Sequence, residues 1–268
     1  MQASAFHQPE SVAEAAAILA ADPEARPLAG GATLVAMMNA ELVRPSALVS
    51  LRRIAGLVGI AGDDAGWVRV GAMTPHRASA AAAAGLAGGQ RVLASAAGQI
   101  ANPVVRNMGT IGGSIANADP AACYPAAVLG LGATVNTDRR SIPADSFFTG
   151  MYETALQPGE LIVSVSFPVP QKAAYIKYKQ PASRFALVGV FVSQGAGGVR
   201  VAVTGAKSSV FRASAIEAAL NASFTPAAAK AVKLPADDMN SDLHGSAAYR
   251  AAMVSVMAAR AVEKALSR

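Results

Sequence analysis

Before Pro168, alanine-rich helical runs alternate with short apolar runs of strand length; beyond Pro170, longer β-branched runs come first and helical ones after. Ser11-Val-Ala-Glu14 has capping-box spacing, in which a serine hydroxyl and a glutamate carboxylate satisfy the first free N–H groups. An alanine-rich helix is therefore predicted from there to Asp22-Pro23. RPLAGGATLVAMMN gives a short extended stretch, a Gly-Gly turn and an apolar run. LVSLRRIAGLVGIAGDDAGWVRVGAMTPHRAS predicts two strands around a turn at Gly62 to Gly66, with Thr74-Pro75 capping the next helix. A second helix from about Gln90 to Ala101 leads into a loop, NPVVRNMGTIGGS. AAVLGLGATVNT and GELIVSVSFPVP then read as strands joined by an irregular IPADSFFTGMYETALQP. Past the two prolines, YIKYKQPAS and FALVGVFVSQGAGGVRVAVTGA predict a three-stranded antiparallel meander that turns at Gly195 to Gly198. The rest is helical, with Thr225-Pro226 as a cap pair and a terminal helix from about Ser246 to Leu266, where Tyr249 and Met253 are expected to pack inward.

Composition narrows this picture by exclusion. The 268 residues are enough for two lobes with their own cores, and no apolar run free of charge, Gly or Pro reaches membrane-spanning length. MQASAFHQPESV lacks a basic region followed by an apolar one, so no secretory signal is read and the expected location is the cytoplasm. With one cysteine, Cys123, and three widely separated histidines, His7, His76 and His244, the chain cannot by itself hold a disulfide, a cysteine-built zinc site or an iron–sulfur cluster. The net charge of +6 is scattered, which suits an anionic cofactor as well as it suits nucleic acid.

The candidate chemistry lies in two glycine pairs beside hydroxyl residues, Gly30-Gly31-Ala32-Thr33 and Thr110-Ile111-Gly112-Gly113-Ser114. Backbone N–H groups free of side-chain bulk can converge on phosphate oxygens, with the hydroxyls as further donors. Neither stretch has the spacing of a dinucleotide fingerprint or a Walker A loop, and a tight bend is the plain alternative for either.

AGGATLVAMM, IANPVVRNMGTIGGSIANADPAACYPAAVLGLGA, FFTGMYETALQPGELIVSVSFP and YKQPASRFALVGV, in that order, resemble the FAD-binding medium subunit of the molybdenum hydroxylases. That family includes carbon monoxide, nicotine and xanthine dehydrogenases. The resemblance covers nearly the whole chain. It implies an α+β fold: a PCMH-like (vanillyl-alcohol-oxidase-like) two-lobed FAD-binding domain over residues 1–170, with lobes of about 1–55 and 56–170. A C-terminal domain of a three-stranded antiparallel sheet and a helical bundle would follow over 171–268. It also implies that Ala29, Gly30, Gly31, Ala32 and Thr33 form one pyrophosphate loop and Thr110, Ile111, Gly112, Gly113 and Ser114 the other. Ile100 and Ala101 would line the flavin side, Ile162 would contact the cofactor, and Lys179 would face the isoalloxazine. Relatives commonly carry an acid where this chain has Cys123, four residues after Asp119, which leaves Asp119 to supply the carboxylate. They often carry Asn where Ser114 stands, and an aromatic near the flavin at Phe185, with Tyr178 as its rival.

The function implied is that of a flavin subunit. A large molybdopterin subunit would oxidise the substrate, a small subunit with two [2Fe-2S] clusters would relay electrons, and FAD in this chain would pass them to an external acceptor, in a heterotrimer or a dimer of heterotrimers. No catalytic side chain or metal ligand is expected. Two other readings stay open: a self-sufficient FAD-dependent reductase or oxidase of the same fold, and a non-enzymatic nucleotide-binding module. Among the remaining residues, His76 is expected at the surface, Cys123 as a small buried hydrophobe, Arg106-Asn107 to orient the second glycine loop, with a phosphate contact as the alternative, and Arg184 in solvent.

Overall fold

The computed structural model describes residues 5–62, 66–82 and 91–267. The predicted turn at Gly62 to Gly66 and the helix start at Gln90 lie partly outside them. The first lobe is a parallel sheet in the order β1-β3-β2, formed by Ala5–His7 (β1), Arg26–Leu28 (β2) and Ala47–Ser50 (β3). Helix α1 (Val12–Ala21) starts where the capping pattern places it: Ser11 Oγ accepts from Glu14 N at 3.1 Å, and the Glu14 carboxylate accepts from Glu10 N at 2.9 Å. Its Ala15 and Leu19 pack on Val49, Leu51 and Leu57. The apolar run after the Gly-Gly turn is helix α2 (Leu34–Asn39).

The second lobe is an antiparallel sheet in the order β4-β5-β10-β6-β7, made from Ile60–Gly62 (β4), Trp67–Gly71 (β5), Thr134–Thr137 (β6), Ser141–Pro143 (β7) and Ile162–Pro168 (β10). Five helices pack with it: α3 (His76–Ala81), α4 (Arg91–Gly98), α5 (Pro103–Met108), α6 (Ile111–Asn117) and α7 (Cys123–Leu131). The irregular connection contains β7 and a hairpin of β8 (Phe148–Gly150) and β9 (Glu153–Thr154). Three sequence expectations are corrected here. The NPVVRNMGTIGGS loop is two short helices, whose first turns are closed by Asn102 accepting from Val105 N and Thr110 accepting from Gly113 N. AAVLGLG belongs to helix α7, all of whose residues are buried. Thr74 does not cap α3; its hydroxyl donates to Gly59 O, and Pro75 occupies the cap.

The last part is an antiparallel sheet of β11 (Lys172–Lys179), β12 (Ala186–Gly195) and β13 (Gly198–Thr204), the expected meander, to which Phe211–Arg212 adds a short fourth strand (β14). Helices α8 (Ser214–Ala222), α9 (Pro226–Ala231) and α10 (Ala247–Leu266) cover it. Met253 is partly buried against their core, but Tyr249 is 41% exposed, contrary to its expected packing. The sheet's other face shares a core with the second lobe, in which Tyr175 and Phe191 join residues of α7. Gly130 allows this, because a Cβ there would lie 2.6 Å from a Phe191 ring carbon. Arg200 seals the end of α7, donating to Leu129 O at 3.0 and 2.9 Å, where unpaired carbonyls and the helix dipole favour a cation.

Candidate functional site

A cleft of about 640 Å³ runs between the first lobe, the α5–α6 corner and the start of the C-terminal sheet. Its size suits an elongated cofactor. Residues 29–33, Ile100, Ala101, Thr110, residues 112–114, Asp119 and Ile162 border it. Ile111 and Lys179 do not. Ile111 is 1% exposed in the core of the second lobe, and Lys179 is exposed.

The two glycine stretches meet, and they differ in what they offer. In the first, the N–H groups of Gly30, Gly31, Ala32 and Thr33 donate to no acceptor among the described residues, and the Thr33 hydroxyl makes no capping bond. Gly31 has φ +73°, a left-handed conformation that glycine adopts without strain. This run of unpaired donors beside a cleft fits an anionic group such as a pyrophosphate. In the second stretch the N–H groups after Thr110 are already used: Ile111 donates to Thr74 O at 3.2 Å, Gly112 to Ala72 O at 2.8 Å, Gly113 to Thr110 Oγ1 at 3.2 Å and Ser114 to Thr110 O at 3.0 Å. Gly112, and Gly30 of the first stretch, serve close approach instead. A Cβ on Gly112 would lie 2.7 Å from Ala72 Cβ, and one on Gly30 would overlap the Met108 carbonyl. The second stretch therefore meets the cleft through the open surface of Gly113 and the side chain of Ser114.

The turn at Ile100 and Ala101, where Ala101 has φ +39°, also borders the cleft. Arg106 holds this turn, donating from Nη1 to Ile100 O at 2.7 Å and to Ala101 O at 3.3 Å, rather than the Thr110–Ser114 stretch it was expected to orient. Arg106→Met is expected to leave the protein folded and to weaken cofactor binding about tenfold, since a charged hydrogen bond contributes about 1.5–3 kcal/mol to holding the turn. Cofactor titration followed by fluorescence checks this.

Several bordering residues were not singled out from sequence. Lys177, two positions before Lys179 on β11, lies at the cleft; its Nζ donates to Gln99 O at 2.7 Å, Arg184 O at 2.9 Å and Cys123 Sγ at 3.4 Å. The pairing register of β11 with β12 shifts between Tyr178 and Lys179, so strand alternation is broken between the two lysines. Asn117 follows Gly113 by one helical turn, a spacing that could have identified it. His76 is 5% exposed rather than at the surface; burial first, and the Arg106 charge second, lower its pKa to about 4, so at neutral pH it is uncharged. Arg184 and Phe185 border the cleft, and Tyr178 does not. Burial pushes the Asp119 carboxyl up, against a 2.8 Å hydrogen bond from Ala121 N.

The fold and cleft define a two-lobed α+β protein with a dinucleotide-sized site, and no group of metal-binding side chains forms among the described residues. Residues 2–170 match the family model described as the FAD binding domain in molybdopterin dehydrogenase. The carbon monoxide dehydrogenase medium chain of Afipia carboxidovorans is 36% identical, over 98% of this chain and 96% of its own. The nicotine 6-hydroxylase medium subunit of Paenarthrobacter nicotinovorans is 32% identical, over 98% and 97%. The reconstituted CO dehydrogenase from Oligotropha carboxidovorans superposes with a TM-score of 0.87 at 33% identity, covering 99% of this chain and 98% of that one. The chain belongs to the FAD-binding medium subunits of the molybdenum hydroxylases: it is an oxidoreductase subunit, and FAD is its cofactor. No helix among the described residues is long and apolar enough to cross a membrane.

Proposed function

We propose that this chain is the electron-delivering flavin subunit of a multi-subunit molybdenum-containing dehydrogenase, taking electrons from [2Fe-2S] clusters in a small partner subunit and passing them to an external acceptor. A large partner would carry the molybdopterin. The observation that carries the binding part of this reading is the run of four unpaired N–H groups at Gly30 to Thr33 beside the cleft. In this reading residues 1–170 are the FAD-binding domain and 171–268 the C-terminal domain.

FAD supplies the redox chemistry; the protein holds, orients and tunes it. Residues 30–33 would bind the pyrophosphate through backbone donors, with the Thr33 and Ser114 hydroxyls completing the cradle. The Ile100–Ala101 turn, locked by Arg106, and Ile162 would flank the isoalloxazine. Lys177, which borders the cleft, would take the place expected of Lys179. Outer-sphere electron transfer asks no side chain to act as acid or base, which agrees with a buried, uncharged His76 at the cleft.

The test is to purify the full chain, saturate it with FAD, and add a reduced [2Fe-2S] partner or NADPH separately. Flavin bleaching by the iron–sulfur donor alone supports the reading. Rapid bleaching by NADPH in the isolated chain would favour a self-sufficient reductase.

A further inference from the structure

Lys177 stands at the cleft with an unusual set of neighbours. Two of its three hydrogen-bond acceptors are backbone carbonyls, of Gln99 and Arg184, and the third is the Cys123 thiol. It forms no ion pair among the described residues. The acids bordering the cleft are otherwise engaged: Glu160 is held by Arg140, and Asp119 by the Ala121 N–H. Arg184, whose carbonyl accepts from Lys177, also borders the cleft and is exposed, so it brings no counter-charge to the ammonium. Carbonyl dipoles fix the ammonium in place without cancelling its charge, and at a half-buried site that charge is screened less than in water. The contact with Gln99 O also sets its position, one residue before the Ile100–Ala101 turn that borders the same cleft.

We propose that Lys177 is an uncompensated cation held against the flavin end of the cleft, that it raises the reduction potential of bound FAD, and that Cys123 is what leaves it uncompensated. This rests on the FAD-subunit reading above. Taking up two electrons and one solvent proton leaves a neutral isoalloxazine with one negative charge. The ammonium therefore stabilises the reduced form over the oxidised one, whichever donor supplies the electrons. Cys123 is 4% exposed with its Sγ 3.4 Å from Nζ, so a carboxylate at this position would reach the ammonium and neutralise it. Lys177 is thus a tuning residue, and Cys123 acts through it.

The test uses the full chain reconstituted with FAD, in wild-type form and as Cys123→Asp, Cys123→Ser and Lys177→Met. The readouts are FAD content, the potential of the bound flavin and the circular dichroism of the fold. Cys123→Asp and Lys177→Met are each expected to lower the preference for reduced over oxidised FAD at least tenfold, about 30 mV for a two-electron couple. Cys123→Ser is expected to leave the potential in place. Unchanged potentials in both Cys123→Asp and Lys177→Met, with FAD bound, would overturn the inference and spare the functional reading. A higher potential in Cys123→Ser would also overturn it, by showing that a thiolate already neutralises Lys177. Folded wild-type protein that takes up no FAD would sink both.

Discussion

Gly30→Ala is expected to give a folded protein that retains almost no FAD. The new methyl group would fall on the Met108 carbonyl, which is backbone and cannot rotate away. Relief requires the loop after β2 to move off the α5–α6 corner, and that loop carries the unpaired N–H groups of residues 30–33. Losing two or more aligned donors to a charged group corresponds to at least a hundredfold in affinity, about 2.7 kcal/mol. Flavin absorbance per chain after gel filtration reads the effect. Gly31→Ala supplies the contrast: its φ of +73° makes alanine strained, but the nearest obstacle is a Val35 methyl at 3.1 Å. A cost of about 1 kcal/mol and partial FAD retention are expected there. Equal losses from the two variants would show that backbone strain, rather than loop contact, governs the site.

Arg140→Met is expected to lower stability at neutral pH by about 2–3 kcal/mol and to move acid unfolding to higher pH. The Glu160 side chain is fully buried; its oxygens accept from Arg140 Nε at 2.9 Å and Nη2 at 3.0 Å, from Thr137 Oγ1 at 2.8 Å and from Gln157 N at 2.8 Å. The Arg140 hydrogen bond leads these effects in holding the Glu160 pKa at about 2, below an ordinary 4.5. A carboxylate lowered in the folded state contributes stability that is present above its unfolded pKa and lost as pH falls through the folded one. The contribution in wild type, about 3 kcal/mol, therefore fades between pH 4.5 and about 2. Without Arg140 a buried charge keeps only neutral partners, which costs less than the ~3–5 kcal/mol of a wholly buried pair because Arg140 is partly exposed. Urea unfolding across this range checks both effects. An unchanged acid limb would show that other carboxylates control it. Glu160 directly precedes Leu161 and Ile162 on the cleft wall, so weaker FAD binding should accompany the loss.

How far the sequence carried depends on the residue. Helix α1 was legible because its start is chemically marked by Ser11 and Glu14. The cleft was legible as two glycine stretches, yet their division of labour was not: whether an N–H is free depends on acceptors such as Ala72 O and Thr74 O, which are distant in the chain. Helix α7 read as a strand because it is buried on every side and so shows no period of 3.6. The α5–α6 corner read as a loop because glycine is a poor helix former, a preference overridden by the Asn102 and Thr110 caps and by tight packing on Ala72. Lys179 came from the resemblance; that Lys177 borders the cleft was not legible, since a shift inside a strand pairing is invisible until the partner strand is known. His76 looked solvated because it opens a short helix, but the bare backbone of Gly109 lets that helix start come in close.

The segment between Asp119 and Cys123 is gripped from the other side of the molecule. The Thr204 hydroxyl donates to Pro120 O and Ala122 O, Gly205 N donates to Pro120 O, and Ala186 N donates to Ala121 O. The C-terminal sheet thus fixes the strip of backbone that carries two residues of the cleft. Subunit engineering inherits a rule from this. A chimera joined at the proline boundary, with the first 170 residues from one relative and the rest from another, splits a single clamp between two parents. Its flavin site would be set by how well the imported Thr204–Gly205 corner fits the resident Pro120–Ala122 strip, so the two must be exchanged together.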